Sequence, residues 1–226
     1  MISPANSLPN LKRLDLTTNR DEGLAYLENL RRSLSPRGNI VSPRGRELTK
    51  KVFGEPLAPV AVVDFILAEI RQKGLQALLH YTEQLDGAKL TPETMRVSAD
   101  DMAAAAAAVS PEYRKTIEQV KANVLAFQKS ILHSDSKPLT AIDGKIWLRY
   151  RPLHRVGVCI PGGAAAYPSS LIMTVVPAQA AGVQEIAVVV PPTTFGGYNR
   201  ELLAACHLLG VTEVYCVGGA QAVGAL

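Results

Sequence analysis

The stretch VCIPGGAAAYPSS, residues 158–170, takes an apolar run rich in β-branched residues directly into the glycine pair Gly162-Gly163. The stretch VYCVGGAQAV, residues 214–223, repeats this arrangement with Gly218-Gly219. Glycine permits positive φ angles and leaves backbone N–H groups open to a ligand. The two stretches therefore predict two strand-to-helix turns of the same kind.

Outward from these turns, short apolar runs alternate with segments of helical length. The apolar runs are RVGVCIP (155–161), IAVVVP (186–191) and EVYCV (213–217), and the segments between them are 169–182 and 199–210. This alternation predicts a parallel α/β sheet covered by helices on both faces. In such a sheet, ligands bind at the loops that follow the carboxyl ends of the strands. Both glycine pairs are therefore expected on one rim of the sheet.

Three regions of the chain differ in composition. Residues 1–50, with stretches such as SLSPRGNIVSPRGRE, predict an N-terminal arm that is loop apart from one short helix at 21–34. Residues 51–150 predict a mainly helical segment that belongs to the first domain, and residues 151–226 predict the α/β unit. Within the helical segment, Ser110-Pro111 supplies a helix start. An apolar stripe expected to face the core follows it: Tyr113, Ile117, Val120, Val124, Phe127 and Ile131.

Composition excludes several classes of function. The chain of 226 residues is 47% hydrophobic and 19% charged with a net charge of +4, and its basic residues form no stripe, so a nucleic-acid partner is not expected. No apolar run is long enough for a membrane span, and the first residues lack a signal core, so we expect a cytoplasmic protein. Cys159, Cys206 and Cys216 contain no C-x-x-C pair, and the four histidines lie in no ligand spacing. We therefore expect buried, reduced thiols and no metal site.

Standard nucleotide fingerprints are absent as well. Neither G-x-G-x-x-G nor G-x-x-x-x-G-K-[ST] occurs in the sequence. Each glycine pair alone is equally consistent with a tight turn of purely structural importance. The residues by themselves thus predict a small-molecule-binding α/β domain after a helical segment, and they do not name the ligand.

Longer stretches resemble the first half of histidinol dehydrogenase. The resemblance is strongest in RPLHRVGVCIPGGAAAYPSSLIMTVVPAQAAGVQEIAVVVPP (151–192) and GVTEVYCVGGAQAVGAL (210–226). The upstream stretches IRQKGLQALLHYTEQLDG and VKANVLAFQKSIL are also similar to that family, so the resemblance covers most of residues 50–226. The order PGG, a proline-containing helix, PP and VGGAQA is specific to this family.

The resemblance implies a fold and an activity. Family members have incomplete Rossmann-like domains of α/β class, form homodimers and contain zinc. They oxidise L-histidinol to L-histidine in two NAD-dependent steps, the last stage of histidine biosynthesis. A cofactor that binds and leaves twice is compatible with a loosely held site on a glycine-lined rim.

Site residues follow from the resemblance position by position. Gln221 in VGGAQA matches a glutamine that contacts NAD, and Cys159 stands where the family usually has a tyrosine that contacts NAD. Together with Gly162-Gly163 and Gly218-Gly219, these residues form the expected cofactor site. A thiol supplies neither the aromatic face nor the hydroxyl of tyrosine, and Tyr167 is the nearest aromatic residue that could replace it.

No residue matches the family's zinc ligands or its catalytic glutamate–histidine pair, which we expect beyond residue 226. The chain is thus expected to be a fragment without catalytic or metal-binding residues, and inactive alone. Two alternatives remain. One is a catalytically inactive module that binds a nucleotide or a partner, and the other is an enzyme that uses one of its own cysteines as nucleophile.

Overall fold

The computed structural model describes residues 14–34 and 41–226. The chain forms two compact units, one up to Val62 and one from Val63 to Leu226, and each is described by itself. The predicted division into residues 1–50, 51–150 and 151–226 stays a prediction.

In the first unit, helix α1 (Arg20–Leu34) confirms the helix predicted at 21–34. Helix α2 (Pro43–Phe53) corrects the expectation of loop for the second half of the arm. The Ser42 hydroxyl accepts a hydrogen bond from the Gly45 N–H at 3.0 Å, and Pro43 occupies the first helical turn, where its missing N–H costs nothing. Ser42-Pro43 thus starts a helix in the same way as Ser110-Pro111. The remaining parts of the arm, residues 1–13 and 35–40, lie outside the described residues.

Four helices confirm the predicted helical segment. They are α3 (Pro59–Lys73), α4 (Leu75–Asp86), α5 (Ala99–Ala108) and α6 (Pro111–Ser130). The Ser110 hydroxyl accepts a hydrogen bond from the Tyr113 N–H at 3.1 Å, as the predicted helix start requires. An antiparallel hairpin of β1 (Leu139–Ala141) and β2 (Gly144–Ile146) follows, which the helical prediction for this region missed.

The apolar stripe of α6 faces the core only in part, and Val120 in the middle of the helix is exposed. Ile117 is buried and Val124 is half-buried, but 59% of Phe127 and 54% of Ile131 are exposed. Helix α6 has 20 residues and packs against two shorter helices, α7 (Pro168–Ala180) and α8 (Arg200–Leu208). The most exposed members of the stripe therefore lie at the carboxyl end of the helix.

A parallel sheet confirms the predicted α/β class. Its strands lie in the order β3 (Arg155–Cys159), β4 (Glu185–Val189) and β5 (Glu213–Tyr215). Helices α7 and α8 connect them, and α9 (Gly219–Ala225) follows β5. Val158, Val188 and Val214 lie side by side in register and are buried in the core with α7 and α8.

Helix α9, which packs against α4, lies on the opposite face of the sheet, and this face is covered unevenly. Ala187 and Val189 of β4 are buried, whereas Gly157 and Cys159 of β3 are exposed. The side chain of Leu226, directly after α9, lies against Gly157, whereas Cys159 stays exposed. Within residues 14–34 and 41–226, β3 also has no strand on its outer edge.

The outer edge of β5 is closed by a segment from the helical region. The Val97 N–H donates to the Val214 carbonyl at 2.9 Å, and the Cys216 N–H donates to the Met95 carbonyl at 2.7 Å. These bonds place the segment antiparallel to β5. The helical segment and the sheet therefore share a continuous hydrogen-bonded layer.

One arginine connects all three strands at their amino ends. Arg155 Nη1 donates to Glu185 Oε2 and to Glu213 Oε1, and its Nη2 donates to Glu213 Oε2, each at 2.8 Å. The bidentate geometry matches the planar guanidinium to the carboxylate. Hydrogen bonding to Arg155 lowers the pKa of Glu213 to about 2.

This cluster predicts a loss of stability in acid. Because folding lowers the pKa of Glu213, its contribution is complete above the unfolded value of about 4.3 and disappears as the pH falls toward 2. We expect Glu213→Gln to lower the free energy of unfolding by about 1 kcal/mol at neutral pH. The free energy of unfolding of this variant should also fall less steeply between about pH 4 and about pH 2 than that of the unaltered protein. Urea unfolding at a series of pH values measures both effects. Glu118→Gln on α6 is the matched control, and the same acid dependence in Glu213→Gln as in the unaltered protein would contradict the prediction.

Candidate functional site

Three loops follow the carboxyl ends of the parallel strands and form one rim. Both predicted glycine pairs lie there, Gly162-Gly163 after β3 and Gly218-Gly219 after β5. The middle loop, after β4, carries a further pair, Gly196-Gly197, which the sequence analysis missed. The pair could have been predicted from its position, because it follows an apolar run and a Pro-Pro turn. The other two glycine pairs also follow apolar runs.

The first glycine of each predicted pair is needed for packing between loops. A Cβ on Gly162 would lie 2.7 Å from the Cα of Gly196, and a Cβ on Gly218 would lie 2.7 Å from Cγ of Pro191. The Thr193 hydroxyl joins two of the loops, because it donates to the Gly162 carbonyl and accepts from the Gly196 N–H. Gly162 and Gly218 are buried in these contacts. Their side-chain-free backbones let the loops touch directly.

The second glycine of each predicted pair is exposed. A Cβ on Gly163 would meet nothing within 4 Å. Gly219 has φ of +63°, a conformation that favours glycine. It lies in a cleft of about 380 Å³ at the rim, which is in the size range of small-molecule sites. The cleft is lined by Cys159, Ile160, Pro161, Val189, Pro191, Gly218, Gly219, Ala222 and Val223.

The structure therefore brings together part of the predicted site. Cys159, Gly218 and Gly219 line one cleft, while Gly162 lies beneath the rim and Gly163 stands outside the lining. None of the lining residues is charged, so the cleft offers an apolar surface and backbone groups. Such a surface suits a flat ring, and the bare glycine backbone suits a polar or anionic group beside it. Tyr167 packs against the core and is half-buried, so it does not replace the missing tyrosine in this cleft.

The cysteines differ from expectation at one position. Cys206 and Cys216 are buried as predicted, but Cys159 is exposed, because it lies at the end of the edge strand β3. Burial raises the pKa of Cys206 to about 12 and that of Cys216 to about 11. Partial desolvation also raises the pKa of Cys159. A thiol nucleophile needs a lowered pKa, so these environments do not favour a cysteine-based mechanism.

Gln221 is buried, with 1% of its surface exposed. Its Nε2 donates to Oδ2 of Asp86 on α4 at 3.0 Å. Its Oε1 has no hydrogen-bond partner within the described part of the chain. Asp86 keeps an exposed side, yet partial desolvation raises its pKa, and the Gln221 hydrogen bond opposes that rise. No local signal marks Asp86 in the sequence, since its partner Gln221 lies on a distant helix.

Residues 14–34 and 41–226 contain no group of three or more His, Cys, Asp or Glu side chains arranged to hold a metal ion. Over the same residues, every helix is too short or too polar to cross a lipid bilayer.

Comparison with known proteins gives one consistent match. The sequence profile of the histidinol dehydrogenase family matches residues 57–226. Histidinol dehydrogenase from Rhodopirellula baltica is 53% identical over 205 residues, which are 91% of this chain and 45% of the relative. The enzyme of that name from Geobacillus kaustophilus is 44% identical over 167 residues, 74% of this chain and 38% of the relative. This chain thus spans less than half the length of these relatives.

A solved structure gives the same match. The crystal structure of histidinol dehydrogenase from Elizabethkingia anophelis superposes with a TM-score of 0.66 at 34% sequence identity. The superposition covers 74% of this chain and 38% of that one. The α/β architecture described above is therefore that of a known fold.

The loop contacts predict that two adjacent glycines respond differently to alanine. Gly162→Ala places a Cβ against the backbone of Gly196, so we expect a loss of about 1–3 kcal/mol in the free energy of unfolding. Gly163→Ala, the matched control, enters open space and should cause no loss. Urea unfolding of both variants measures the difference, and equal stabilities would show that the loops do not depend on this contact.

Proposed function

Because this chain belongs to the histidinol dehydrogenase family, we propose that it forms the NAD-binding part of an enzyme that oxidises L-histidinol to L-histidine. The cleft at the carboxyl edge of the parallel sheet is the observation that supports this proposal. Ligands of open α/β sheets bind at that edge. The family relationship supports the proposed reaction, and the cleft supports the proposed position of the cofactor in this chain.

The cleft residues suit the two kinds of chemical group in a dinucleotide. The apolar side chains of Val189, Ala222 and Val223 would receive a flat ring. The exposed backbone of Gly219 in the cleft, and that of Gly163 outside it on the same rim, would lie against phosphate oxygens or sugar hydroxyls, since no Cβ keeps a ligand away. NAD, when bound, accepts the hydride, and the residues of this chain hold and orient it.

Cys159 distinguishes this chain from the family pattern. It lines the cleft where the family usually has a tyrosine, and a thiol offers a much smaller contact surface than a phenol ring. We therefore propose weaker NAD binding than in relatives with the tyrosine. Rapid exchange of cofactor is compatible with a reaction that consumes NAD twice.

Zinc and the acid–base groups are proposed to come from outside these residues. The described residues do not fit a zinc site, and the resemblance assigns neither the zinc ligands nor the catalytic glutamate–histidine pair to any residue here. We accordingly propose that these 226 residues do not oxidise histidinol by themselves. A cytoplasmic location and a homodimeric assembly are proposed from the family relationship alone.

The proposed cofactor site predicts a selective effect on NAD binding. Valine at Gly163 should weaken NAD binding at least tenfold, because branched bulk would stand between the backbone and the cofactor. Gly144→Val in the β1–β2 hairpin is the matched control, since both glycines have open space where a Cβ would stand. Isothermal titration calorimetry with NAD measures both. Equal affinities in the two variants would place the cofactor elsewhere.

A chimera tests the proposed reaction. These 226 residues are fused to the part of the Rhodopirellula baltica enzyme that they do not span. We expect NADH formation that requires histidinol, whereas the 226 residues alone should give no rate above a heat-denatured control. NADH absorbance is the readout. An inactive but folded chimera that binds NAD would favour a nucleotide-binding module without catalysis.

A further inference from the structure

The two polar atoms of the Gln221 amide lie in different environments. Its Nε2 donates to Oδ2 of Asp86 at 3.0 Å, while its Oε1 is buried and without a donor within the described residues. A buried acceptor without a partner costs about 1–3 kcal/mol, so such an atom calls for an explanation, and a missing ligand group is one.

Asp86 determines the orientation of the Gln221 side-chain amide. An ionised carboxylate only accepts hydrogen bonds, so it can face the NH₂ group of Gln221 and not the oxygen. The amide oxygen is thereby directed away from Asp86. Without that carboxylate, the amide could rotate by half a turn and present a donor where it now presents an acceptor.

Gly219 separates this oxygen from the cleft. A Cβ on Gly219 would lie 2.7 Å from Oε1 of Gln221, and Gly219 itself lines the cleft. Gly219, which has no side chain, therefore lies between the amide oxygen and the space proposed for the cofactor. Solvent does not reach Oε1 in this structure, so a ligand contact requires the Gly218-Gly219 turn to shift, which glycine backbones allow.

We propose that Asp86 is a positioning residue, which orients Gln221 so that its amide oxygen accepts a hydrogen bond from a donor of the bound dinucleotide. A ribose hydroxyl or an NH₂ group of the nicotinamide or adenine meets this requirement, and a phosphate oxygen does not. The inference rests on the proposed function, because it takes NAD as the occupant of the cleft.

Exchanging the carboxylate and amide groups of Asp86 and Gln221 distinguishes a positioning role of Asp86 from a purely structural one. Asp86→Ala removes the orienting acceptor and should weaken NAD binding about tenfold. Gln221→Glu should weaken it at least as much, because two carboxylates would face each other. In the double variant Asp86→Asn/Gln221→Glu, the asparagine NH₂ donates to one glutamate oxygen while the other oxygen still accepts from the ligand. NAD affinity should then return to within about threefold of the unaltered protein.

Calorimetric titration with NAD is the readout, and thermal melts check that each variant folds. Glu83→Ala, an exposed position on the same helix, is the matched control and should bind NAD as the unaltered chain does. If the unaltered chain does not bind NAD, the proposed function is wrong. If it binds and Asp86→Ala binds equally well, Asp86 has no positioning role. If both single changes weaken binding and the swap does not restore it, the amide acts as a donor or only as a structural link.

Discussion

Burial of one face of the sheet is the constraint on which the second unit depends. Val158, Val188 and Val214 stand in one row across the three strands, and α7 and α8 cover them. Full burial of such side chains contributes about 1.5–3 kcal/mol each, more than the roughly 1 kcal/mol expected from an exposed ion pair. The Arg155 cluster at the amino ends therefore contributes less to the stability of the sheet than the apolar contacts do.

That burial also determines which parts of the sheet and its loops remain accessible to a ligand. With α7 and α8 on one face, the alternate residues of the strands point to the other, where the short helix α9 leaves Cys159 uncovered. The loops at the carboxyl ends then meet over this open side. Glycines serve two purposes there. Gly162 and Gly218 let loops touch, and Gly163 and Gly219 leave backbone exposed.

Local signals predicted most of the fold. The three apolar runs, the glycine-ended helices between them and the Ser110-Pro111 helix start are all short-range patterns, and each appears in the structure. The sequence could not predict contacts that depend on distant partners. Asp86 meets Gln221 across most of the chain, and Cys159 is exposed because its strand lies at an edge. Helix α2 was missed because the composition of its stretch resembles that of a loop, although Ser42-Pro43 is the same helix start as Ser110-Pro111.

The pairing of Met95–Val97 with β5 has a consequence for the order of folding. Helices α3 to α6 form from contacts close in sequence, and so do the βα units that follow. The edge of β5, in contrast, is completed by residues that precede it by more than half of the chain, and closing so large a loop is entropically costly. We expect the helices to form early and the last rung of the sheet to form late. Until then, β5 offers an unsatisfied edge to other chains, so this step sets the concentration at which refolding competes with association.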